Sequence, residues 1–328
     1  MDRIAVIGAG RIGRIHARNI VLHPRLSLAC IVDPSPAAVD AVIGECGGIG
    51  AAFDDVVNDR DITGVVIASP TDLHLDQALA LTAAGKALLC EKPVDLDLTR
   101  ARAAATVLND PAIRLLIGFN RRFDPDFQAL KARLVSGAAG DLETLHIISH
   151  DPAPPPIGYI GTSGGLFRDM AIHDFDTARW LLDDRVVEVY AASACLVDPA
   201  IGAAGDCDTA KTILRTARGR LCVISNSRRS GYGYDQRIEA YCSKGLIRAD
   251  NRLESTVSTW GPSGMAGDAL QNFFLDRYAS AYRAEIDHFA AVLAGEQRSA
   301  VTFADGLAAL ELADAADLSA RTGQPVRL

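Results

Sequence analysis

A glycine-rich turn near the N-terminus constrains the fold more than any other feature of this sequence. Gly8, Gly10 and Gly13 form a Gly-x-Gly-x-x-Gly pattern between the apolar run at residues 4–7 and a helical pattern at residues 13–22. In such a turn, Gly8 permits the tight bend, Gly10 lets a pyrophosphate approach the backbone, and Gly13 lets the helix pack on the strand. The N–H groups at the helix start then face the phosphates. This arrangement predicts a nucleotide-binding βαβ unit, and the alternative is a plain βα turn.

The first 120 residues alternate apolar runs with helical patterns. Continuous apolar strands separated by helices are typical of a parallel sheet covered on both faces. This segment therefore predicts a doubly wound α/β domain. The predicted strands are residues 4–7, Leu26–Val32, 64–68, Ala87–Cys90 and 115–118, and the predicted helices are residues 13–22, Pro36–Cys46, 73–84 and 97–109.

After residue 120 several strands follow one another without intervening helices. A run of this kind predicts an α+β domain with a large, mostly antiparallel open sheet. We therefore divide the chain into domains 1–120 and 121–328. The predicted strands of the second domain are 142–149, 186–197, Thr209–Thr216, 220–227 and 237–242, and its predicted helices are Pro125–Ser136, 167–182, 272–294 and Phe303–Thr322.

Composition excludes several classes of function. With 33 Lys and Arg against 41 Asp and Glu the net charge is -8, which disfavours binding to nucleic acid or to anionic membranes. No apolar run approaches the roughly 18 residues of a membrane span. The seven cysteines are widely spaced without a Cys-x-x-Cys pair, so we expect free thiols in a reducing, cytoplasmic compartment. No cluster has metal-ligand spacing, so we expect no metal.

Asp33 indicates which dinucleotide binds. It follows the second predicted strand, where an acidic side chain accepts hydrogen bonds from the adenosine ribose. A carboxylate repels a 2′-phosphate, and no Lys or Arg follows in residues 34–40. We therefore expect NAD as the cofactor rather than NADP.

Several longer motifs resemble the glucose-fructose oxidoreductase / inositol dehydrogenase (Gfo/Idh/MocA) family, and in particular its inositol 2-dehydrogenase branch. The similarity spans both predicted domains. Two departures are Ser69, where the family usually has Thr, and Gly161-Thr162, where inositol enzymes more often carry Lys-Val; the second puts the substrate in question. The matching segments are 8–16, Ser69-Pro70-Thr71-Asp72-Leu73-His74, Glu91-Lys92-Pro93, 118–125, 151–156, 163–170, 173–176, 272–278 and Ala281-Tyr282.

The resemblance implies a catalytic trio of Lys92, Asp169 and His173. Lys92 follows the predicted strand Ala87–Cys90, at the sheet edge where open α/β sheets bind ligands, although a lysine in a loop is more often simply exposed. Asp169 and His173 are spaced i, i+4 and share one helix face, whose alternative role is a solvated polar surface. Asp176 and Trp180 are predicted on the same face.

These residue types suit the oxidation of a ring secondary alcohol. We expect His173 to be the general base, because its ordinary pKa lies near 6.5. Asp169 would orient the imidazole, and Lys92 would hold the reacting oxygen. Since Lys92 belongs to one predicted domain and the other two residues belong to the second, we expect catalysis to need both.

The resemblance also implies binding residues, many of which have a plain structural alternative. Tyrosines at helical spacing are more often packed in a core than bound to ligand, and histidines near a turn often cap it. The expected cofactor-binding residues are Gly8, Gly10, Arg11, Ile12, Gly13, Asp33, Ser69, Thr71, His74, Glu91 and Asn120. The expected substrate-binding residues are Lys92, Asn120, Arg121, His150, Asp169, His173, Tyr234 and Tyr282.

The family's activity implies the NAD-dependent oxidation of myo-inositol to its 2-ketone. The alternatives are another inositol, scyllo or chiro, or an aldopyranose such as glucose. A non-catalytic NAD-sensing regulator is the rival from another class, although a sensor has no need of Lys92, Asp169 and His173 together. The substrate we expect is therefore a small cyclic polyol or sugar. Because the family often covers its open sheet by self-association, we expect a homotetramer as the assembly.

Overall fold

The computed structural model describes the whole chain, residues 1–328. None of its helices combines the length and the apolar character that a membrane crossing requires. Short 3₁₀ turns lie at Thr71–Leu73 and Asn120–Phe123, and a π-helical turn lies at Phe167–Ala171. The strands are β1 (Asp2–Ile7), β2 (Leu26–Val32), β3 (Ile49–Gly50), β4 (Ile62–Ile67), β5 (Ala87–Cys90), β6 (Leu115–Ile117), β7 (Leu142–His150), β8 (Val186–Ala194), β9 (Thr209–Thr216), β10 (Leu221–Ser227), β11 (Asp235–Cys242), β12 (Gly245–Ala249), β13 (Ser258–Gly261), β14 (Gly264–Gly267) and β15 (Val326–Arg327). The helices are α1 (Arg11–Leu22), α2 (Pro36–Cys46), α3 (Phe53–Asn58), α4 (His74–Ala83), α5 (Leu98–Leu108), α6 (Pro125–Ser136), α7 (Ile157–Ser163), α8 (Ile172–Leu182), α9 (Pro199–Ala203), α10 (Phe274–Arg277), α11 (Ala279–Leu293) and α12 (Phe303–Thr322).

The chain forms two compact units. Unit 1 comprises Met1–Phe123 and Ser280–Leu310, and unit 2 comprises Asp124–Ala279 and Glu311–Leu328. The sequence-based division at residue 120 differs from this, because it assigns all of the C-terminal helices to the second domain. Backbone bonding explains the difference: the edge strand β6 donates from the Ile117 N–H to the carbonyl of Val301 at 3.0 Å.

Unit 1 is built on a six-stranded sheet with the order β3-β2-β1-β4-β5-β6. Every neighbouring pair is parallel, and strands β5 and β6 are completely buried. The order reverses between β1 and β4, and ligands of such sheets bind beyond the carboxyl ends of the strands at that point. The predicted doubly wound Rossmann domain is therefore confirmed. The glycine turn follows β1 at this edge.

Local sequence signals set the helix boundaries in unit 1. Helix α2 has the predicted bounds because Pro36 suits the first helical turn and the Ser35 hydroxyl accepts a hydrogen bond from the Ala38 N–H at 3.3 Å. Helix α1 instead begins at Arg11, and its N-cap residue, Gly10, has no side chain to cap it. The short elements β3 and α3 were not predicted, because two and six residues show no clear period.

Unit 2 contains a seven-stranded sheet with the order β12-β11-β7-β10-β9-β8-β15. Only β7 and β10 are parallel neighbours, and the other pairs are antiparallel, which confirms the predicted mostly antiparallel sheet. Buried and exposed side chains alternate along its strands. Leu214 and Ile224 are fully buried on one face, whereas Ile213 and Val223 on the other face are exposed.

Two predicted helices of the second half are interrupted. The stretch at 167–182 consists of the π-helical turn followed by α8. The predicted helix at 272–294 is wrong: it breaks at Tyr278, between α10 and α11. The break buries the side chains of Arg277 and Tyr278, and the guanidinium of Arg277 pairs with the buried carboxylate of Asp124.

Candidate active site

The glycine turn of unit 1 is shaped by its own backbone and leaves room for a ligand. Gly8 has a φ of +99°, and a Cβ there would lie 2.3 Å from the Ala68 carbonyl oxygen. A Cβ at Gly13 would lie 1.8 Å from the carbonyl oxygen of Gly8. At Gly10, in contrast, a Cβ would meet no protein atom within 4 Å. The fold itself therefore requires Gly8 and Gly13, and Gly10 borders open space.

The elements around this turn fit a dinucleotide. Arg11 and Ile12 open helix α1, whose N-terminus no side chain caps, so its positive end is available to a pyrophosphate. Asp33 follows β2, and its carboxylate accepts the Ala9 N–H at 2.8 Å and the Ser35 N–H at 2.9 Å. These bonds orient the carboxylate, which keeps lone pairs for ribose hydroxyls.

His74 occupies a structural position between two loops. Its ring is buried, with Nδ1 2.8 Å from the carbonyl oxygen of Pro93 and Nε2 2.9 Å from that of Ser69. Both ring nitrogens are thus used by the backbone, which favours a bridging role over the predicted cofactor contact. The Ser69 hydroxyl donates to Oε1 of Gln77 at 2.7 Å, and Thr71 begins the adjacent 3₁₀ turn.

Glu91 and Lys92 lie directly after β5, as predicted. The Glu91 N–H donates to the Ile67 carbonyl at 2.9 Å. Its carboxylate is buried and lies 2.8 Å from Nε2 of His16, so it faces the interior of unit 1. Lys92 is partly exposed. Asn120 and Arg121, beyond β6, are both buried in the 3₁₀ turn that they begin.

In unit 2, Asp169 and His173 lie where the π-helical turn passes into α8. Both are half-buried. The Tyr159 hydroxyl donates to Oδ1 of Asp169 at 2.9 Å, and Nη1 of Arg228 lies 3.5 Å from Oδ2. Each oxygen of the carboxylate therefore has its own partner, and the two partners together fix its orientation.

The predicted face of this helix is partly correct. Phe175, Ala178 and Leu182 are fully buried on the core side, as expected. Asp176, predicted on the same face as Asp169 and His173, is also fully buried. A π-helical turn has more residues per turn than an α-helix, and it therefore rotates the later residues relative to Asp169.

Tyr159 and Arg228 were not identified from the sequence. Arg228 follows β10 and is 1% exposed, with its guanidinium 3.5 Å from both Asp169 and Asp206. The sequence around the end of β10 does not distinguish Arg228 from its exposed neighbour Arg229. Tyr159 lies in the segment that contains the departure at Gly161-Thr162, and this departure was the available signal.

The remaining predicted substrate residues have packed positions. His150 ends β7, and its Nε2 lies 2.8 Å from the Ser225 hydroxyl; burial lowers the pKa of His150. In unit 2 the Tyr234 ring meets Tyr278 edge to face, with 6.1 Å between centroids. In unit 1 the Tyr282 ring meets His16 in the same way at 5.7 Å. Both tyrosines are over nine-tenths buried.

Fold and site together define an NAD-binding oxidoreductase. Residues 3–119 match the model of the oxidoreductase family with an NAD-binding Rossmann fold, and residues 127–248 match the GFO/IDH/MocA C-terminal domain. The chain belongs to the Gfo/Idh/MocA family. The predictions of the family, of NAD as the cofactor and of an NAD-dependent dehydrogenase are confirmed.

Relatives of known name are similar along the whole chain. An inositol 2-dehydrogenase of Rhizobium meliloti is 46% identical over 314 residues, which cover 96% of this chain and 95% of that protein. The crystal structure of a myo-inositol dehydrogenase from Corynebacterium glutamicum is 44% identical, with a TM-score of 0.95 and coverage of 100% and 99%. A scyllo-inositol dehydrogenase from Lactobacillus casei, crystallised with NAD(H) and scyllo-inositol, is 28% identical, with a TM-score of 0.93 and coverage of 100% and 99%.

Proposed function

We propose that this enzyme is an inositol 2-dehydrogenase that oxidises myo-inositol to its 2-ketone with NAD. The observation that carries the proposal is the 46% identity to an inositol 2-dehydrogenase over 96% of the chain. The presence of Lys92, Asp169 and His173 supports turnover rather than sensing, because a regulator has no need of a base, an orienting carboxylate and an oxygen-binding cation.

The reaction removes a hydride from the ring carbon and a proton from its hydroxyl. Hydride acceptance is the chemistry that NAD supplies when it is bound, and the helix α1 N-terminus and Asp33 are the groups that would hold it. The proton requires a protein base. A base with an ordinary pKa near 6.5 can accept it at neutral pH.

We assign the proton to His173 and the alkoxide to Lys92. His173 accepts the hydroxyl proton as the C–H bond breaks, and the Asp169 carboxylate stabilises the imidazolium that forms. The ammonium of Lys92 donates to the reacting oxygen and stabilises its developing negative charge. Arg228 and Tyr159 keep the Asp169 carboxylate oriented.

A spectrophotometric assay of NADH formation tests both the substrate and the assignment. With a panel of myo-, scyllo- and chiro-inositol and glucose, we expect the highest kcat/KM for myo-inositol. His173→Gln is expected to lower kcat by about 10²–10⁴-fold, the usual value of a general base. His146→Gln, at an exposed position of β7, is the matched control. If His173→Gln kept near-normal kcat at every pH while binding NAD normally, the assignment of the base would be wrong.

scyllo-Inositol is the second candidate substrate. The relative crystallised with that compound has the same fold over 100% of this chain, and the departure at Gly161-Thr162 from the pattern of inositol enzymes leaves the preferred stereoisomer open. A higher kcat/KM for scyllo-inositol in the same panel would select it. Tight NAD binding without turnover of any polyol would instead favour a regulator.

We also propose a homotetramer in the cytoplasm. The face of the unit 2 sheet that carries Tyr190, Ile213, Val223 and Tyr241 exposes these apolar side chains by more than a third each, and large exposed apolar patches typically mark interfaces. All seven cysteines are free thiols, which suits a reducing compartment. Light scattering on the full chain should give the tetramer mass, and Ile213→Glu should reduce it. A monomeric wild-type protein would refute the assembly.

A further inference from the structure

Glu285 is a buried acid that the reaction does not use. It lies on α11, is 0% exposed, and neither of its carboxyl oxygens has a hydrogen-bond partner. Ile286 and Phe289 of the same helix are also fully buried. An ionised carboxylate without partners is very unfavourable in such a place, and the neutral acid is much less so.

The ionisable groups nearest to Glu285 are a second carboxyl and an imidazole, and neither carries a permanent positive charge. Ligand atoms of His16, Glu91 and Glu285 all lie within 4.8 Å of one another, and all three residues are buried. The ring of Tyr282, one turn earlier on α11, covers His16. Burial, and next to it the charge of Glu91, raise the pKa of Glu285 well above its usual range. Two carboxyl groups this close in a buried site cannot both ionise without a compensating charge.

Glu91 connects this cluster to the turn that carries Lys92. Its carboxylate is fastened to His16 at 2.8 Å, and its N–H bonds to the Ile67 carbonyl. Gly118 lies against the carboxylate, since a Cβ there would be 3.0 Å from Oε2 of Glu91. The side chain therefore has little room, and a repulsive charge at Glu285 would push on the backbone next to Lys92.

We propose that Glu285 stays protonated in the folded enzyme and, through Glu91, is a positioning residue for Lys92. The neutral carboxyl keeps the Glu91 carboxylate seated against His16. Loss of its proton places two negative charges together and displaces the turn. The effect on catalysis rests on the role proposed above for Lys92, whereas the protonation state is tested without any substrate.

Urea unfolding of the full chain across about pH 5 to 9 tests the proton. The unfolded carboxyl titrates near pH 4.3, whereas the folded one keeps its proton to higher pH. The stabilisation is therefore complete below about pH 4.3 and is lost as the pH rises towards the folded value, by up to about tenfold in the unfolding constant per pH unit. Glu285→Gln, a neutral isostere, should lack this fall. Asp287→Asn, which removes a carboxylate that is 70% exposed on the same helix, should follow the wild type.

Kinetics test the positioning role. Glu285→Gln should keep kcat within about threefold at pH 7, because its side chain is neutral, like the protonated carboxyl, and keeps an N–H donor within 4.8 Å of the Glu91 carboxylate. Glu285→Met fills the volume without a donor and should lower kcat at least fivefold with an unchanged Kd for NAD. Equal kcat in the Gln and Met variants would reduce Glu285 to a space-filling residue and overturn the positioning role.

Three results would overturn the protonation itself. The first is a Glu285→Gln variant that does not fold, and the second is a stability difference from wild type that does not vary with pH. The third is one equivalent of a divalent metal in the purified protein by mass spectrometry. Two carboxylates and an imidazole also suit a cation, and with a cation bound both carboxyl groups would be ionised. An absence of polyol turnover would refute the proposed function but leave the unfolding result intact.

Discussion

Replacing Asp33 with serine should move the enzyme's coenzyme preference from NAD towards NADP. The structure orients this carboxylate through the N–H groups of Ala9 and Ser35, at 2.8 and 2.9 Å. A hydrogen bond from a ribose hydroxyl to an ionised acceptor contributes about 1.5–3 kcal/mol, so its loss should lower kcat/KM for NAD by about 10–150-fold. The hydroxyl of serine is uncharged and does not repel a 2′-phosphate.

The gain with NADP can be bounded from the same geometry. Two unit charges about 4 Å apart interact by about 1 kcal/mol in water and about 4 kcal/mol near a protein surface. Because Asp33 is only half-buried, we take about 1–2 kcal/mol, which corresponds to a gain of about 5–30-fold for NADP. The ratio of the two efficiencies should therefore change by about 50–4,500-fold.

The assay is the initial rate with each coenzyme at a fixed, saturating polyol concentration. Asp40→Ser, at an exposed position of helix α2, is the matched control and should leave the ratio unchanged. A ratio in Asp33→Ser that stays within about threefold of wild type would refute the reasoning. If both efficiencies fell together and the protein lost stability, the carboxylate would serve to hold the glycine turn rather than to select the coenzyme.

Three further perturbations have definite expected outcomes. Gly13→Ala should destabilise the protein by at least about 1–3 kcal/mol in thermal unfolding, because its Cβ would meet a backbone oxygen at 1.8 Å, whereas Gly44→Ala, in open space, should not. Arg228→Leu should lower kcat at least tenfold with unchanged NAD affinity by calorimetry, because Asp169 loses a buried cation; an unchanged kcat would separate this arginine from the reaction. His150→Gln should flatten the loss of stability on acidification in urea unfolding. Burial lowers the pKa of His150, so the stabilisation from its neutral ring is complete above about pH 6.5 and declines as the pH falls below it; a parallel decline in wild type and variant would contradict this.

The fold could be predicted where side-chain periodicity is regular and the helix ends carry strong signals. Helices α2 and α6 have the predicted bounds because each begins with proline after a capping side chain, Ser35 or Asp124. The break at Tyr278 could not be predicted, because the residues on either side of it have good helical periodicity. What interrupts the helix is the burial of Arg277 against Asp124, a contact between residues far apart in sequence.

The site divides in the same way. The glycine turn and Asp33 are recognisable because the residues that would bind the dinucleotide lie close together in the sequence at a characteristic spacing. Arg228 and Glu285 are not, since an arginine after a strand and a glutamate in a helix are usually exposed. Their function follows from the carboxylates that tertiary structure brings beside them.

The return of residues 280–310 to unit 1 has a consequence for synthesis of the chain. The first 123 residues leave the ribosome without helix α11 and without the Val301 carbonyl that binds β6. At about 5–20 residues per second, the missing segment is completed roughly 10–40 s later. During that interval the apolar surface that α11 covers stays open to water, or to a chaperone. An expressed fragment ending at Phe123 should remain permanently in this exposed state, so it would be an aggregation-prone fragment rather than an isolated coenzyme-binding domain.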